Sequence, residues 1–132
     1  MGQGLHNSVA SLIYLGKEAQ FVTIVDDDLF SYLSRWRWNY LFNRNGIIYV
    51  RRGGGRDAPT ILMHRVICEL VYGPAPSETH TPDHRNRDTL DNRSANLRWA
   101  TRQEQLMNRG TARKTHKRRV KEALAEIEEP PF

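Results

Sequence analysis

"PDHRNRDTLDNRSANLRWATRQEQLMNRG", residues 82–110, decides how the rest of the chain is read. It sets an acid beside a histidine, follows with a spread of asparagines and aspartates, and closes on an alternating stretch that passes into a helical one. In "LRWAT" Leu97 and Trp99 alternate with Arg98 and Ala100, the pattern of a half-buried strand. Thr101 with Glu104 three residues on is a capping-box pattern, which predicts a helix from about Arg102 to near Gly110. Pro82 removes a ladder donor and marks a strand edge. Asp83 and His84 would point to opposite faces of a regular strand, so they share a site only if the strand ends or bends there. The order is strand, long loop, strand, helix, with Leu90, Leu97, Trp99, Leu106 and Met107 as the expected small core.

The residue types in this stretch suit metal-assisted hydrolysis. A hard divalent cation takes a carboxylate, here Asp83, and neutral amide oxygens, while waters and substrate fill its remaining positions. Gln105 and Asn108 lie three apart on one helix face, about 4.5 Å along the axis. His84 suits a general base, since a histidine is largely neutral near pH 7. Asn86, Asp88, Asp91 and Asn92 read as Asx turns, and Asn96 as a pin for the loop shape.

Upstream, "AQFVTIV" (19–25) reads as a strand, and "DDDLFSYLSRW" as a short helix with aspartates suited to an N-cap. "RWNYLF", "NRNG" and "IIYVRR" read as strand, turn and strand, and "ILMHRVICELVYGP" as a strand running into a helix that stops at Gly73-Pro74. His64 suits a structural hydrogen bond, and Trp36, Trp38 and Trp99 suit the core. Downstream, "ARKTHKRRVKE" is strongly basic and "ALAEIEEPPF" acidic, with Val120, Leu124 and Ile127 on one helical face. This charge order opposes the helix dipole, so the basic half is read as a phosphate contact. His80 and His116 read as solvated.

The 132 residues fit one domain, and Lys plus Arg exceed Asp plus Glu by five. That balance, with a pI of about 9.7, favours a polyanionic partner, nucleic acid first. The phosphate-contact candidates are Arg51, Arg52 and Arg56 around the glycine turn, and Arg113, Lys114, Lys117, Arg118, Arg119 and Lys121 near the end. No apolar run is long enough for a transmembrane helix, and the N-terminus lacks the pattern of a signal peptide, so no membrane role and a cytoplasmic location are expected. His6 breaks a myristoylation pattern, and the single Cys68 excludes an internal disulfide or a multi-cysteine zinc site.

"PDHRNRDTLDNRSANLRWAT" resembles the core of the HNH endonucleases, the ββα-metal or His-Me finger nucleases, and specifically the phage and bacterial group that includes homing endonucleases. "LMHRVICELVYG" and "FVTIVDDDLFSYLSRWRWNY…NGIIYVRR" are similar to that group's N-terminal region, so the resemblance spans roughly residues 15–109. It implies an α+β fold with a strand-helix-hairpin region (15–75) and a ββα-metal core (76–110), and the residues on either side read, from their own composition, as a flexible N-terminus (1–14) and a basic C-terminal helix and tail (111–132). It also implies a DNA endonuclease, nicking or cutting both strands, in a bacterial or phage-infected cell and using Mg²⁺ or Mn²⁺.

Carried over by position, the resemblance makes Asp83 a metal ligand and His84 the general base. Asn96 is the middle asparagine that constrains the loop and orients the histidine, and Gln105, nine residues later, is the second ligand. Asn108 also matches a common family asparagine. Departures fall at Arg87 and Asp88, where the family carries Gly then Asn, and at Gln105, where it carries Asn or His. They keep open an alternative, a catalytically impaired, nuclease-derived DNA-binding protein. The chain's oligomeric state is not legible in its residues.

Overall fold

A computed structural model of the chain describes residues 9–108 and 115–128. Arg113 and Lys114 lie outside the described residues. The fold is mixed α and β, built on small antiparallel sheets. β1 (Ala10–Leu15) pairs with β2 (Phe21–Asp26), and α1 (Asp27–Leu33) follows directly. β3 (Asn39–Phe42), β4 (Ile48–Gly53) and β5 (Thr60–Leu62) form a three-stranded sheet that runs into α2 (Met63–Tyr72). β6 (Thr81–His84) pairs across a long loop with β7 (Leu97–Ala100), then come α3 (Arg102–Met107) and α4 (His116–Glu128).

The turn chemistry follows the sequence closely. Gly46 takes φ 80° at the tip of the β3–β4 hairpin, and Asn43 Oδ1 accepts from the backbone nitrogens of Asn45 and Ile47 to close that turn. At α3 the capping box forms: Thr101 Oγ1 accepts from Glu104 N, and Glu104 Oε1 accepts from Thr101 N. At α1, by contrast, Asp26 makes no side-chain cap; its Oδ2 accepts from Ser94 N instead.

One apolar cluster joins the sheets: Leu15, Val25, Leu33 and Val50 pack with Met63, Ile67, Leu90 and Leu97, all nearly inaccessible to solvent. Trp38 is buried in it, while Trp36 and Trp99 lie partly buried against it. Burying one such aliphatic side chain contributes about 1.5–3 kcal/mol.

Three expectations are corrected. The flexible N-terminus does not extend to residue 14, because Ala10–Leu15 zips onto β2 in full register and buries Ala10 and Leu15. Leu106 and Met107 do not join the small core; they are 44% and 80% exposed, because α2 rather than the six-residue α3 supplies the apolar face packed on β6 and β7. Of the apolar stripe on α4, Val120 docks with Ala123 against Ala10 and Ile24, whereas Leu124 and Ile127 stay exposed.

Candidate active site

Asp83 and His84 are the last two residues of β6, at the strand end where the chain turns into the loop. Both residues line a cleft of about 500 Å³, together with Gln105 and Asn108 from α3 and its C-cap and with Tyr49 and His64. The cleft thus collects all four residues that the sequence singled out for base and ligand chemistry.

His84 is 5% exposed, and its Nε2 lies 2.9 Å from Asn92 Oδ1. Burial pushes its pKa below the ordinary histidine value, only partly countered by the Asn92 bond and by Asp88, Asp83 and Asp91, so the ring is neutral at pH 7. His64 stacks on it with ring centroids 4.9 Å apart, and Tyr49 stacks on His64 in turn. Burial, then the neighbouring His84 and Arg65, push His64 down to about 3, so this wall of the cleft carries no charge. His64 is therefore a wall of the site, not a residue apart from it.

Asp83 Oδ2 accepts from Arg98 Nε at 3.0 Å across the β6–β7 pairing. A carboxylate has lone pairs for several partners, so this contact orients Asp83 and leaves it able to ligate a cation. Gln105 Nε2 donates to Thr81 Oγ1 at 2.6 Å and to the Ala100 carbonyl at 3.2 Å. Asn108 Nδ2 donates to the Arg85 carbonyl at 2.8 Å. With both amide nitrogens engaged, the amide oxygens are the atoms each residue has for the cleft. One carboxylate and two amide oxygens fit a hard divalent cation that retains several waters. Among the described residues no three His, Cys, Asp or Glu side chains gather into a softer cage.

The loop between β6 and β7 is held by its own polar residues. Asn86, Asp88 and Asp91 accept from backbone nitrogens two residues on, as Asx turns do. Asn96 bridges the loop, Oδ1 accepting from Asn86 N and Nδ2 donating to the Asp91 carbonyl. The orienting contact to His84, expected from Asn96, comes from Asn92: its Oδ1 lies 2.9 Å from His84 Nε2, while both polar atoms of the Asn96 side chain are taken by backbone groups. Arg87 holds φ 66°, the left-handed region that favours glycine, at the position where the resemblance anticipates Gly.

β2 grips this loop from outside. Ile24 N donates to the Leu90 carbonyl at 3.0 Å, and Asn92 N to the Ile24 carbonyl at 2.8 Å. Asn92 Nδ2 donates to Thr23 Oγ1 at 2.9 Å, and Thr23 Oγ1 donates to the Leu90 carbonyl at 2.7 Å. Sequence reasoning missed Thr23 because it lies 69 residues from Asn92 in an ordinary strand pattern. It also missed Arg102, which lines the cleft from the first turn of α3.

The basic candidates divide by environment. Lys117, Arg118 and Lys121 are exposed on α4, with Arg118 beside Glu122, and Arg56 is exposed in its loop. Arg51 donates to the Gly53 carbonyl, and Arg52 lies over the Trp36 ring at 4.2 Å; both are half-buried. Arg119 is corrected: it is 8% exposed and paired with Asp88 at 2.9 Å, so its charge is committed inside the fold. His116 is not solvated either; its nitrogens face Asp88 Oδ2 and the Val22 carbonyl. Part of the basic run therefore serves to dock α4 rather than to meet phosphate.

Residues 62–107 match a family model described as HNH endonuclease. No curated protein and no solved structure matches the chain.

Proposed function

We propose that this chain, whose residues 62–107 match the HNH endonuclease family model, is a member of that family and hydrolyses phosphodiester bonds in DNA with the help of Mg²⁺ or Mn²⁺. The observation that carries this reading is the convergence of a buried, neutral His84 with Asp83, Gln105 and Asn108 on one cleft. Asp83 and the amide oxygen of Gln105 or Asn108 would hold the cation. When bound, it supplies electrostatic stabilisation of the charge developing on the phosphate and the leaving oxygen.

The chain's own residues do the rest. His84 Nε2 is engaged by Asn92, so Nδ1 is the nitrogen that takes a proton from the attacking water. The His64 and Tyr49 rings back the imidazole and exclude water from its rear face. Arg98 aims the Asp83 carboxylate, and Arg102 at the cleft edge is a partner for a DNA phosphate. Arg56, Lys117, Arg118 and Lys121 provide sequence-independent backbone contacts. An association with phages or mobile elements rests on the sequence resemblance alone.

The test is conversion of supercoiled plasmid to nicked or linear DNA with Mg²⁺ or Mn²⁺. His84→Ala is expected to lower the rate by about 10²-fold or more. An inert wild type, or a His84→Ala variant equal to it, sinks the reading. The alternative, a DNA-binding protein without catalysis, draws on the engagement of Asp83 by Arg98 and of Gln105 by Thr81. Calorimetric titration with Mn²⁺ separates the two. A wild-type binding heat that Asp83→Ala abolishes supports the endonuclease, and no difference between them supports the alternative.

A further inference from the structure

We propose that Thr23, outside the segment matched by the family, is a positioning residue that sets the tautomer of the His84 ring through Asn92. The inference rests on the reading of His84 as general base.

The direction of each hydrogen bond follows from counting donors. A carbonyl oxygen only accepts, so the Thr23 hydroxyl spends its single proton on Leu90 O at 2.7 Å. Its oxygen then accepts, and the partner 2.9 Å away must present the Asn92 Nδ2 donor. The Asn92 carbonyl oxygen consequently faces His84, 2.9 Å from Nε2, and accepts a proton from it. A neutral ring with its proton on Nε2 has its lone pair on Nδ1.

The reversed arrangement is poorer. With the Asn92 amide turned over, Thr23 would donate to Asn92 Oδ1 and Asn92 Nδ2 to His84 Nε2. The Leu90 carbonyl would lose its bond from the hydroxyl, leaving two side-chain bonds in place of three. Thr23 and Asn92 are 0% and 1% exposed, so water does not make up the difference. The wrong orientation would put the ring proton on Nδ1 and remove the base from the cleft.

Long-range ¹H–¹⁵N correlation spectra of the full-length, ¹⁵N-labelled protein at pH 8 read the tautomer directly, with the His84 signals identified by their loss in His84→Gln. The wild type is expected to show Nε2–H alone. Thr23→Val, which removes the hydroxyl and keeps the shape, is expected to give a mixture of tautomers and a kcat for nicking lower by about 10-fold, with KM within about twofold. Thr23→Ser is expected to restore both, and Thr23→Ala serves in place of Val should that variant not fold. An Nδ1–H ring in the wild type overturns the proposal. So does a hydroxyl-free variant that keeps the wild-type tautomer or the wild-type kcat. If the wild type cuts no DNA, the functional reading fails by itself, and the tautomer of the variant still decides whether Thr23 orients the ring.

Discussion

His116 Nδ1 lies 2.7 Å from Asp88 Oδ2, joining the first turn of α4 to the loop between β6 and β7. Its other nitrogen faces the Val22 carbonyl at 2.8 Å, so both nitrogens meet acceptors and the ring is held as the cation. One imidazolium thereby ties together the N-terminal hairpin, the loop that carries Asn92, and the last helix.

That contact predicts a pH-dependent stability. Burial works to lower the His116 pKa, but the Asp88 hydrogen bond and charge outweigh it and raise the value above 6.5. The contribution is therefore fully present below about pH 6.5 and is lost as pH rises through the raised folded value. Burial works to raise Asp88, but His116, the Leu90 amide and Arg119 outweigh it and lower the value below 3.8. Its contribution is present above about pH 3.8 and is lost as pH falls through the lowered folded value. Melting curves of wild type and His116→Phe are expected to differ most near pH 5–6 and to converge toward pH 9. A gap that does not change with pH rules this out.

Two kinds of basic residue on one helix should separate in experiment. Arg119→Met strips Asp88 of a buried partner and is expected to destabilise the fold by about 2–4 kcal/mol. Lys117→Ala and Lys121→Ala are expected to leave stability within about 0.5 kcal/mol while each lowers the salt slope of DNA binding by about one. Chemical denaturation and DNA titration across salt concentrations give both readings, and a stable Arg119→Met would contradict the docking role.

The division of labour between α2 and α3 is open to the same kind of test. Ile67→Ala is expected to cost about 2–5 kcal/mol, since Ile67 is wholly buried against the shared core. Met107→Gln, at 80% exposure, is expected to change stability by less than about 0.5 kcal/mol. Equal losses in the two variants would mean that α3 packs more deeply than described.

Much of the local structure is legible in the sequence. Turn glycines, the Thr101–Glu104 capping box and the alternation in "LRWAT" are contiguous signals whose energetics involve residues a few positions apart. β1 was missed because its strand character resides in pairing with β2, and pairing is not a property of the six residues themselves. Leu106 and Met107 were misjudged because an apolar residue at helical spacing buries itself only when another element supplies a facing surface.

The site divides in the same way. Asp83, His84, Gln105 and Asn108, which line one cleft, stand out as candidates in the sequence because their chemistry and spacing lie within one stretch of 26 residues, 83–108. By itself the sequence determined which groups are available for base and ligand work. The tertiary structure alone decided which of five loop asparagine and aspartate side chains meets the imidazole, that Thr23 stands behind it, and that Arg119 and His116 face inward. Hydrogen-bond direction depends on which donors and acceptors are brought within 3 Å of each other, and for partners 28, 31 or 69 residues apart only the folded chain sets that distance.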